Sequence, residues 1–358
     1  MTILITGGAG FIGSAFILEW VDEVKEKVVN LDKLTYAGNL DNLAGLSQDA
    51  HELVVGDIAD RDIVTSLLAK HKPWAILNLA AESHVDRSIY APASFMDTNV
   101  LGTFNLLEVA RSYYETLSGY EKDKFRFLHV STDEVFGSLS PCDPPFNEET
   151  PYRPNSPYSA SKAAADHLVR AYFKTYNLPV ITTNCSNNYG PRQFPEKFIP
   201  LLILNAAADK NLPVYGDGQQ IRDWIFVADH CRALREVLFK GQPGETYCIG
   251  GNQEKTNLEL VHEVCEIIDQ KLPSPDGLSR TTRIAHVTDR PGHDRRYAID
   301  DRKIREKLGF RPKWTFEAGL KATVEWYFDN PGWVERVQSG AYRKWVELHY
   351  GSKNKKGD

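Results

Sequence analysis

The run Met1–Gly13 constrains the fold more than any other stretch of this chain. An apolar, β-branched segment, Thr2–Thr6, leads directly into Gly7, Gly8, Gly10 and Gly13, and an amphipathic segment follows. Gly8, Gly10 and Gly13 have the spacing Gly-x-Gly-x-x-Gly, and Gly7 adds the reading Gly-x-x-Gly-x-x-Gly. A turn of this kind lets backbone N–H groups approach a pyrophosphate, with the helix N-terminus adding a favourable partial charge. A tight strand-to-helix turn also wants glycines for its own geometry, so the motif is read with its surroundings.

Those surroundings alternate. Short apolar runs at Thr2–Thr6, Val28–Asp32, Leu53–Asp57, Ala75–Ala80, Phe125–Ser131 and Pro179–Asn184 predict strands. Amphipathic runs at Phe11–Val24, Arg61–His71, Ala93–Leu117 and Ser156–Tyr176 predict helices between them. Buried strands alternating with helices give a parallel sheet covered on both faces, and right-handed crossovers make it a doubly wound, Rossmann-type α/β fold. Asn187–Arg192 reads as a turn-rich break. Beyond it come a helix at Glu196–Asp209, short strands at Pro213–Tyr215 and Thr246–Ile249, and helices near Leu258–Lys271 and Phe316–Asp329. The expectation is a smaller α/β lobe woven from several segments. Residues 1–186, with about 220–250, would form the dinucleotide-binding domain; residues 187–219 and about 251–350 would form the second lobe. The polar tail 351–358 is expected to fray.

A formal net charge of -6 over 358 residues argues against a general nucleic-acid binder. The cysteines, Cys142, Cys185, Cys231, Cys248 and Cys265, are scattered and include no Cys-x-x-Cys. They fit reduced thiols of a cytoplasm better than a disulfide framework, and give little support to a metal site. Neither a secretory signal nor an apolar stretch of membrane-spanning length is visible, so a cytoplasmic location away from membranes is expected.

Asp32 ends the second strand, where a carboxylate can accept bonds from the ribose hydroxyls of a dinucleotide and repel a 2-phosphate. That favours NAD over NADP, although Lys33 tempers the preference and a turn or helix-cap role remains open. Asp57-Ile58 and Ala80-Ala81 close the third and fourth strands and would border the cofactor, unless they reflect only strand-end geometry.

Tyr158 and Lys162 lie four apart on one face of a predicted helix. A neighbouring ammonium favours phenolate and should lower a phenol pKa that is otherwise about 10. Thr132-Asp133-Glu134 follows the fifth strand at the carboxyl edge of the sheet. The threonine can bond a reacting hydroxyl, and two adjacent carboxyls can divide into an acid and a base. The same triplet could instead start a helix. Arg222 and the cluster Arg290, His293, Arg295 and Arg296 offer guanidinium forks for phosphate, although Arg222 could equally pair with Asp217 or Asp223. His84 reads better as structural than as a catalytic base.

Taken together, Thr6–Gly13, Asp32–Asn39, Ala80–Ser88, Ser131–Gly137, Tyr158–Lys162, Asn187–Arg192 and Asp289–Tyr297 resemble the extended short-chain dehydrogenase/reductase family. Within it they resemble the dTDP-glucose 4,6-dehydratases. Phe136 departs from the tyrosine expected there. The resemblance implies NAD held by Gly7, Gly10, Phe11, Ile12, Gly13, Asp32, Lys33, Thr35, Asp57, Ile58, Ala80, Ala81, Ser83 and Thr98, with Tyr158 and Lys162. It implies catalysis by Thr132, Asp133, Glu134, Tyr158 and Lys162. It places a dTDP-glucose substrate against Ser83, Thr132, Asn187, Lys197, Pro213, Val214, Tyr215, Arg222, Asn257, Asp289, Arg290, His293 and Tyr297. A homodimer through the helices Ala93–Leu117 and Ser156–Tyr176 is expected on the same ground. A 4-epimerase, a dehydratase for another nucleotide sugar, and a non-catalytic NAD-binding regulator are the alternatives. The Asp133-Glu134 pair speaks against a simple epimerase, and the Tyr158/Lys162 pair against a regulator.

Overall fold

The structure is a computed structural model and describes residues 1–339. Twelve strands are present among these residues: β1 (Thr2–Thr6), β2 (Lys27–Asp32), β3 (His51–Val55), β4 (Ala75–Asn78), β5 (Arg126–Thr132), β6 (Val180–Cys185), β7 (Asn187–Tyr189), β8 (Leu212–Tyr215), β9 (Ile221–Phe226), β10 (Thr246–Ile249), β11 (Glu254–Thr256) and β12 (Ile284–Val287). Seven form one sheet in the order β10-β6-β5-β4-β1-β2-β3, with every pairing parallel. The winding reverses between β2 and β4, on either side of β1. A doubly wound sheet places its ligand crevice at that reversal, outside the carboxyl ends of the strands.

Strand alternation decides which side chains meet which helices. In β1, Ile3 and Ile5 face one layer, with Phe16 and Trp20 of the helix Phe11–Glu23 and Leu234 of the helix Val227–Lys240. Leu4 faces the other layer, with Leu106 of the helix Thr103–Thr116 and Val169 of the helix Pro157–Tyr176. This is the double covering expected of continuous apolar parallel strands.

The smaller lobe has its own core, which includes Tyr189, Ile203, Val214, Leu260, Phe316 and Leu320. Its frame is a three-stranded sheet, β11-β9-β7, and a parallel pair, β12-β8. Asn187–Tyr189 is therefore a strand, where the sequence suggested only a break. The strand Ile221–Phe226 was not foreseen at all, because its polar residues interrupt the apolar pattern. The long helix expected over Ala93–Leu117 is segmented into an α-helical turn at Pro92–Phe95, a π-helix at Met96–Gly102 and an α-helix at Thr103–Thr116. Wide turns of this kind recur at functional sites, and this one carries Thr98 and Asn99. The tail 351–358, and the end of the second lobe beyond Ser339, lie outside the described residues.

The side chain of Trp20 is 1% exposed, and its ring stacks 5.5 Å from Phe16 and 5.6 Å from Phe239. Trp20→Ala should lower unfolding stability by about 3–5 kcal/mol through the cavity it leaves, read as a reduced urea midpoint with little change in slope.

Candidate active site

One cavity of about 520 Å³ runs between the large sheet and the smaller lobe, a size suited to a small-molecule ligand. Its cofactor side begins where Gly7, at φ +71, ends β1. A Cβ on Gly7 would lie 2.7 Å from backbone atoms of Ala80, and one on Gly13 would lie 2.2 Å from the Gly7 carbonyl oxygen. Side chains are excluded at both points, leaving a cradle of bare backbone. Gly7, Gly10, Phe11, Ile12, Gly13, Thr35, Ile58, Ala80, Ala81, Ser83 and Thr98 all line the cavity. This cradle, beside a buried carboxylate at the end of β2, fits a dinucleotide.

That carboxylate is Asp32. Its two oxygens accept backbone N–H bonds from Ala9 and Leu34, each at 2.8 Å. It thus works as a turn residue and also lines the cavity, so the two roles weighed for it from sequence are compatible. Burial pushes its carboxyl pKa up, against those two bonds. Lys33 is engaged with Asp57 at 2.5 Å, so its charge is matched and weakens Asp32's repulsion of a 2-phosphate less than expected.

The chemistry lies where β5 ends. The Thr132 hydroxyl accepts from the Glu134 N–H at 3.3 Å, capping a short 3-10 turn at Asp133–Phe136, and donates to Asp133 Oδ1 at 3.3 Å. Tyr158 and Lys162 project from the helix Pro157–Tyr176, which Ser156 and Ser159 start with a capping box and Pro157 with its fixed φ. Lys162 Nζ donates to the Val130 carbonyl of β5 at 2.9 Å. One turn on, Asp166 Oδ2 accepts from Ser131 at 2.9 Å, Tyr152 at 2.9 Å and Asn184 at 3.2 Å.

In the protein alone, burial drives the Tyr158 pKa well above its ordinary value. The Glu134 charge adds to this, and the Thr132 hydrogen bond opposes it. This corrects the expectation that Lys162 would lower it: the ammonium is directed at a strand carbonyl, and desolvation outweighs it. The adjacent carboxyls have different surroundings. Asp133 is raised well above the usual range by burial, then by Glu134 and Asp223, and its Oδ2 has no hydrogen-bond partner among the described residues. Glu134 is raised by burial, but Arg290, Arg222 and Lys197 pull it back. The two carboxyls thus sit in unequal electrostatic surroundings, as an acid–base pair requires.

A profile of the family described as GDP-mannose 4,6 dehydratase matches residues 4–323. Curated dTDP-glucose 4,6-dehydratases are similar along nearly the whole chain. That of Xanthomonas campestris pv. campestris strain B100 is 60% identical over 343 residues, covering 96% of this chain and 97% of that protein. That of Salmonella typhimurium is 54% identical over 359 residues, covering 98% and 99%. A dTDP-glucose 4,6-dehydratase from Streptomyces venezuelae, solved with NAD and TYD bound, is 43% identical and superposes with a TM-score of 0.86, covering 94% of this chain and 100% of that one. This chain belongs to the dTDP-glucose 4,6-dehydratase family.

For a member of that family the smaller lobe's side of the cavity has readable chemistry. Arg222, on β9, donates to the carbonyls of Ile221 at 2.7 Å and Asp294 at 3.0 Å and lies 4.2 Å over the Tyr297 ring. It makes no ion pair among the described residues. Asp217 pairs with Arg295 at 3.0 Å, and Asp223 accepts from the Gly251 and Gln253 N–H groups. Asn187, Lys197, Pro213, Tyr215, Asn257, Arg290, His293 and Tyr297 also face the cavity. Two expected residues do not. Strand alternation turns Val214 into the lobe's core, opposite Pro213 and Tyr215. Asp289 stands behind the wall, with Oδ1 on His293 at 2.6 Å and Oδ2 accepting from Gln220 at 3.0 Å. Of the basic cluster, Arg295 and Arg296 are spent on Asp217 and Glu254.

Several lining residues were given no role from the sequence: Tyr36 and Asp86, although they lie within runs that carry the resemblance, and Cys185 and Glu196. Cys185 ends β6 and donates to the Ser131 carbonyl at 3.4 Å; the strand-end rule that located Thr132 could have found it. Tyr36, Asp86 and Glu196 reach the site through contacts distant in sequence. Gly7→Ala combines a forbidden approach with a positive φ, and should destabilise the fold by roughly 1–3 kcal/mol. Thermal unfolding of the variant checks this, and an unchanged midpoint would contradict it.

Proposed function

We propose that this chain is an NAD-dependent dTDP-glucose 4,6-dehydratase, giving dTDP-4-keto-6-deoxyglucose. The observation that carries the reading is the pair of unequal carboxyls, Asp133 and Glu134, next to buried Tyr158. Oxidation of an alcohol alone needs only the tyrosine; elimination next door needs a second acid and base.

NAD, when bound, supplies an acceptor for the C4 hydride, a positive charge, and the hydride returned to C6. The residues to hold it are the Gly7–Gly13 cradle, Asp32, Thr35, Ile58, Ala80, Ala81, Ser83, Thr98 and Lys162, with Lys33 and Asp57 as a paired flank. Tyr158 takes the proton of the 4-hydroxyl, which Thr132 orients. To accept that proton Tyr158 must be a phenolate, a form that the Lys162 ammonium and the positive charge of bound NAD would favour over its state in the protein alone. Glu134 removes the C5 proton that the new 4-keto group acidifies. Asp133 gives its proton to the 6-hydroxyl, which leaves as water, and Glu134 then returns a proton to C5. Arg222, Arg290 and Lys197 face the diphosphate. Residues 1–186, with about 220–250, act as the cofactor domain, and the remainder as the substrate lobe.

A homodimer is supported by Met96, Leu101 and Phe104, which are exposed on the segment Pro92–Thr116. A cytoplasmic location is supported by reduced cysteines and by the lack, among the described residues, of a helix long and apolar enough to cross a membrane.

Glu134→Gln should lower turnover roughly 10²–10⁴-fold while oxidation at C4 survives. The variant would then show enzyme-bound reduced cofactor by absorbance and no water loss by mass spectrometry. Full turnover would reassign the C5 base.

The pH profile gives a second check. Glu134 must be ionised, so kcat falls as pH drops through its raised pKa, on an acid limb above the ordinary glutamate value of about 4.3. Asp133 must keep its proton, so kcat falls again as pH rises through its higher pKa. The bell belongs to the pair, and an acid limb in the ordinary carboxylate range would contradict this assignment.

A further inference from the structure

We propose that Asp86 is a built-in competitor for the substrate's diphosphate: its carboxylate holds the Arg290 guanidinium until the diphosphate displaces it, and so limits how tightly a nucleoside diphosphate is retained. The inference rests on the nucleotide-sugar reading above and concerns a residue that reading leaves without a role.

Arg290 and Asp86 come from opposite walls of the cavity, 204 residues apart in sequence, and both line it. Arg290 Nη1 donates to Asp86 Oδ1 at 2.9 Å, and the Tyr215 hydroxyl donates to Asp86 Oδ2 at 3.4 Å. Arg290 Nε is buried with no hydrogen-bond partner among the described residues. The fork is thus half used, with one donor on a carboxylate and another waiting. Arg222 is different. Its amino groups are committed to main-chain carbonyls and it makes no ion pair with a carboxylate among the described residues, so no contact has to break before it meets an anion. Of Arg222 and Arg290, the first makes no ion pair among the described residues and the second is held by a replaceable anion.

The Asp86–Arg290 pair is suited to exchange. The two side chains are 28% and 21% exposed, and ion pairs that reach solvent are weak. A diphosphate carries more charge than a carboxylate and can engage Arg222 and Arg290 together, so it outcompetes Asp86. Asp86 itself is anchored. Its neighbours are pinned to the smaller lobe, with the Ser83 carbonyl accepting from Lys197 at 2.9 Å and Arg87 donating to Glu196 at 3.0 Å. On displacement the carboxylate therefore stays close by, ready to recapture Arg290. The consequence is faster release of the product nucleotide sugar at the cost of affinity. If Asp86 merely oriented Arg290 toward the ligand, removing it would weaken binding; if it competes, removing it tightens binding.

Calorimetric titration of the NAD-loaded enzyme with dTDP separates these. Asp86→Asn should bind dTDP roughly five- to tenfold more tightly than the unaltered enzyme, Asp86→Ser should change in the same direction, and Asp86→Glu should stay near the original affinity. The gain should vanish when Arg290→Gln is combined with Asp86→Asn. A misfolded variant would not gain affinity, so the sign is diagnostic. Unchanged or weaker binding by both Asp86→Asn and Asp86→Ser, with Arg290→Gln alone still costing affinity, overturns the competitor and leaves the nucleotide-sugar reading standing. A gain that persists without Arg290 also overturns it. Failure of the unaltered enzyme to bind dTDP at all overturns both.

Discussion

A buried carboxylate, Asp166, holds together the elements on which the site is built. It is 4% exposed and accepts three hydrogen bonds on one oxygen, from Ser131 of β5, Asn184 of β6 and Tyr152. Its other oxygen faces His129 Nε2 at 3.3 Å. The polar chain continues across the sheet, since Asn78 Nδ2 lies 3.2 Å from His129 Nδ1 and the Thr6 hydroxyl donates to Asn78 Oδ1 at 2.7 Å. With Asn78 donating, His129 carries its proton on Nε2, toward Asp166. Burial, reinforced by Lys162, lowers the His129 pKa and keeps the ring neutral. One network therefore joins β1, β4, β5 and β6 to the helix bearing Tyr158 and Lys162. A carboxyl this deep needs partners, and the three hydrogen bonds on Asp166 Oδ2 tie the helix to the sheet edge.

The same low dielectric governs the reacting groups. Burial raises Tyr158, Asp133 and Glu134 together, and their neighbours then separate them. Asp133 sits beside two further carboxylates, whereas Glu134 looks out on Arg290, Arg222 and Lys197. The cations that suit a diphosphate thus also help the base to ionise. Binding and acid–base chemistry share one set of charges, so a substitution at any of these cations is expected to act on both.

The local parts of this site were legible in the sequence because their geometry is written in short spacings. Gly7 to Gly13 specify a turn, Asp32 a strand end, and Tyr158 and Lys162 one helical face. Thr132, Asp133 and Glu134 follow an apolar strand whose end the fold must place at the crevice. The unread parts depend on contacts between distant segments. Strand β9 is interrupted by Arg222 and Asp223, which the cavity and a glycine loop stabilise, so its sequence lacks the apolar run of a buried strand. The π-helical turn at Met96–Gly102 carries Asn99, which bonds the Glu82 backbone and the Ser161 hydroxyl, partners distant in sequence. Val214 was misplaced because a three-residue run was read as one lining surface, when successive side chains of a strand must point to opposite faces. In the protein alone Tyr158 departs from expectation for a related reason: proximity of Lys162 along a helix does not say where its ammonium points, and it reaches the Val130 carbonyl.

The segment leaving β4 joins these two levels. At one end the backbone of Ala80 meets Gly7 so closely that no side chain could intervene. Further on, Ser83, Asp86 and Arg87 reach Lys197, Arg290 and Glu196 of the facing wall, and Arg87 lies 3.6 Å over the ring of Tyr36 from the loop after Asp32. A few consecutive residues therefore touch the cofactor cradle, the turn that carries Asp32 and the substrate lobe. Separating the lobes would break contacts at the nucleotide end and loosen the cradle's rim together. In the proposed reaction the hydride is taken and returned within one turnover, so the cofactor has no reason to leave while substrate and product must exchange. That asymmetry matches the contacts: close backbone approach lies on the cofactor side, and an exchangeable, partly exposed ion pair lies on the side where ligands pass.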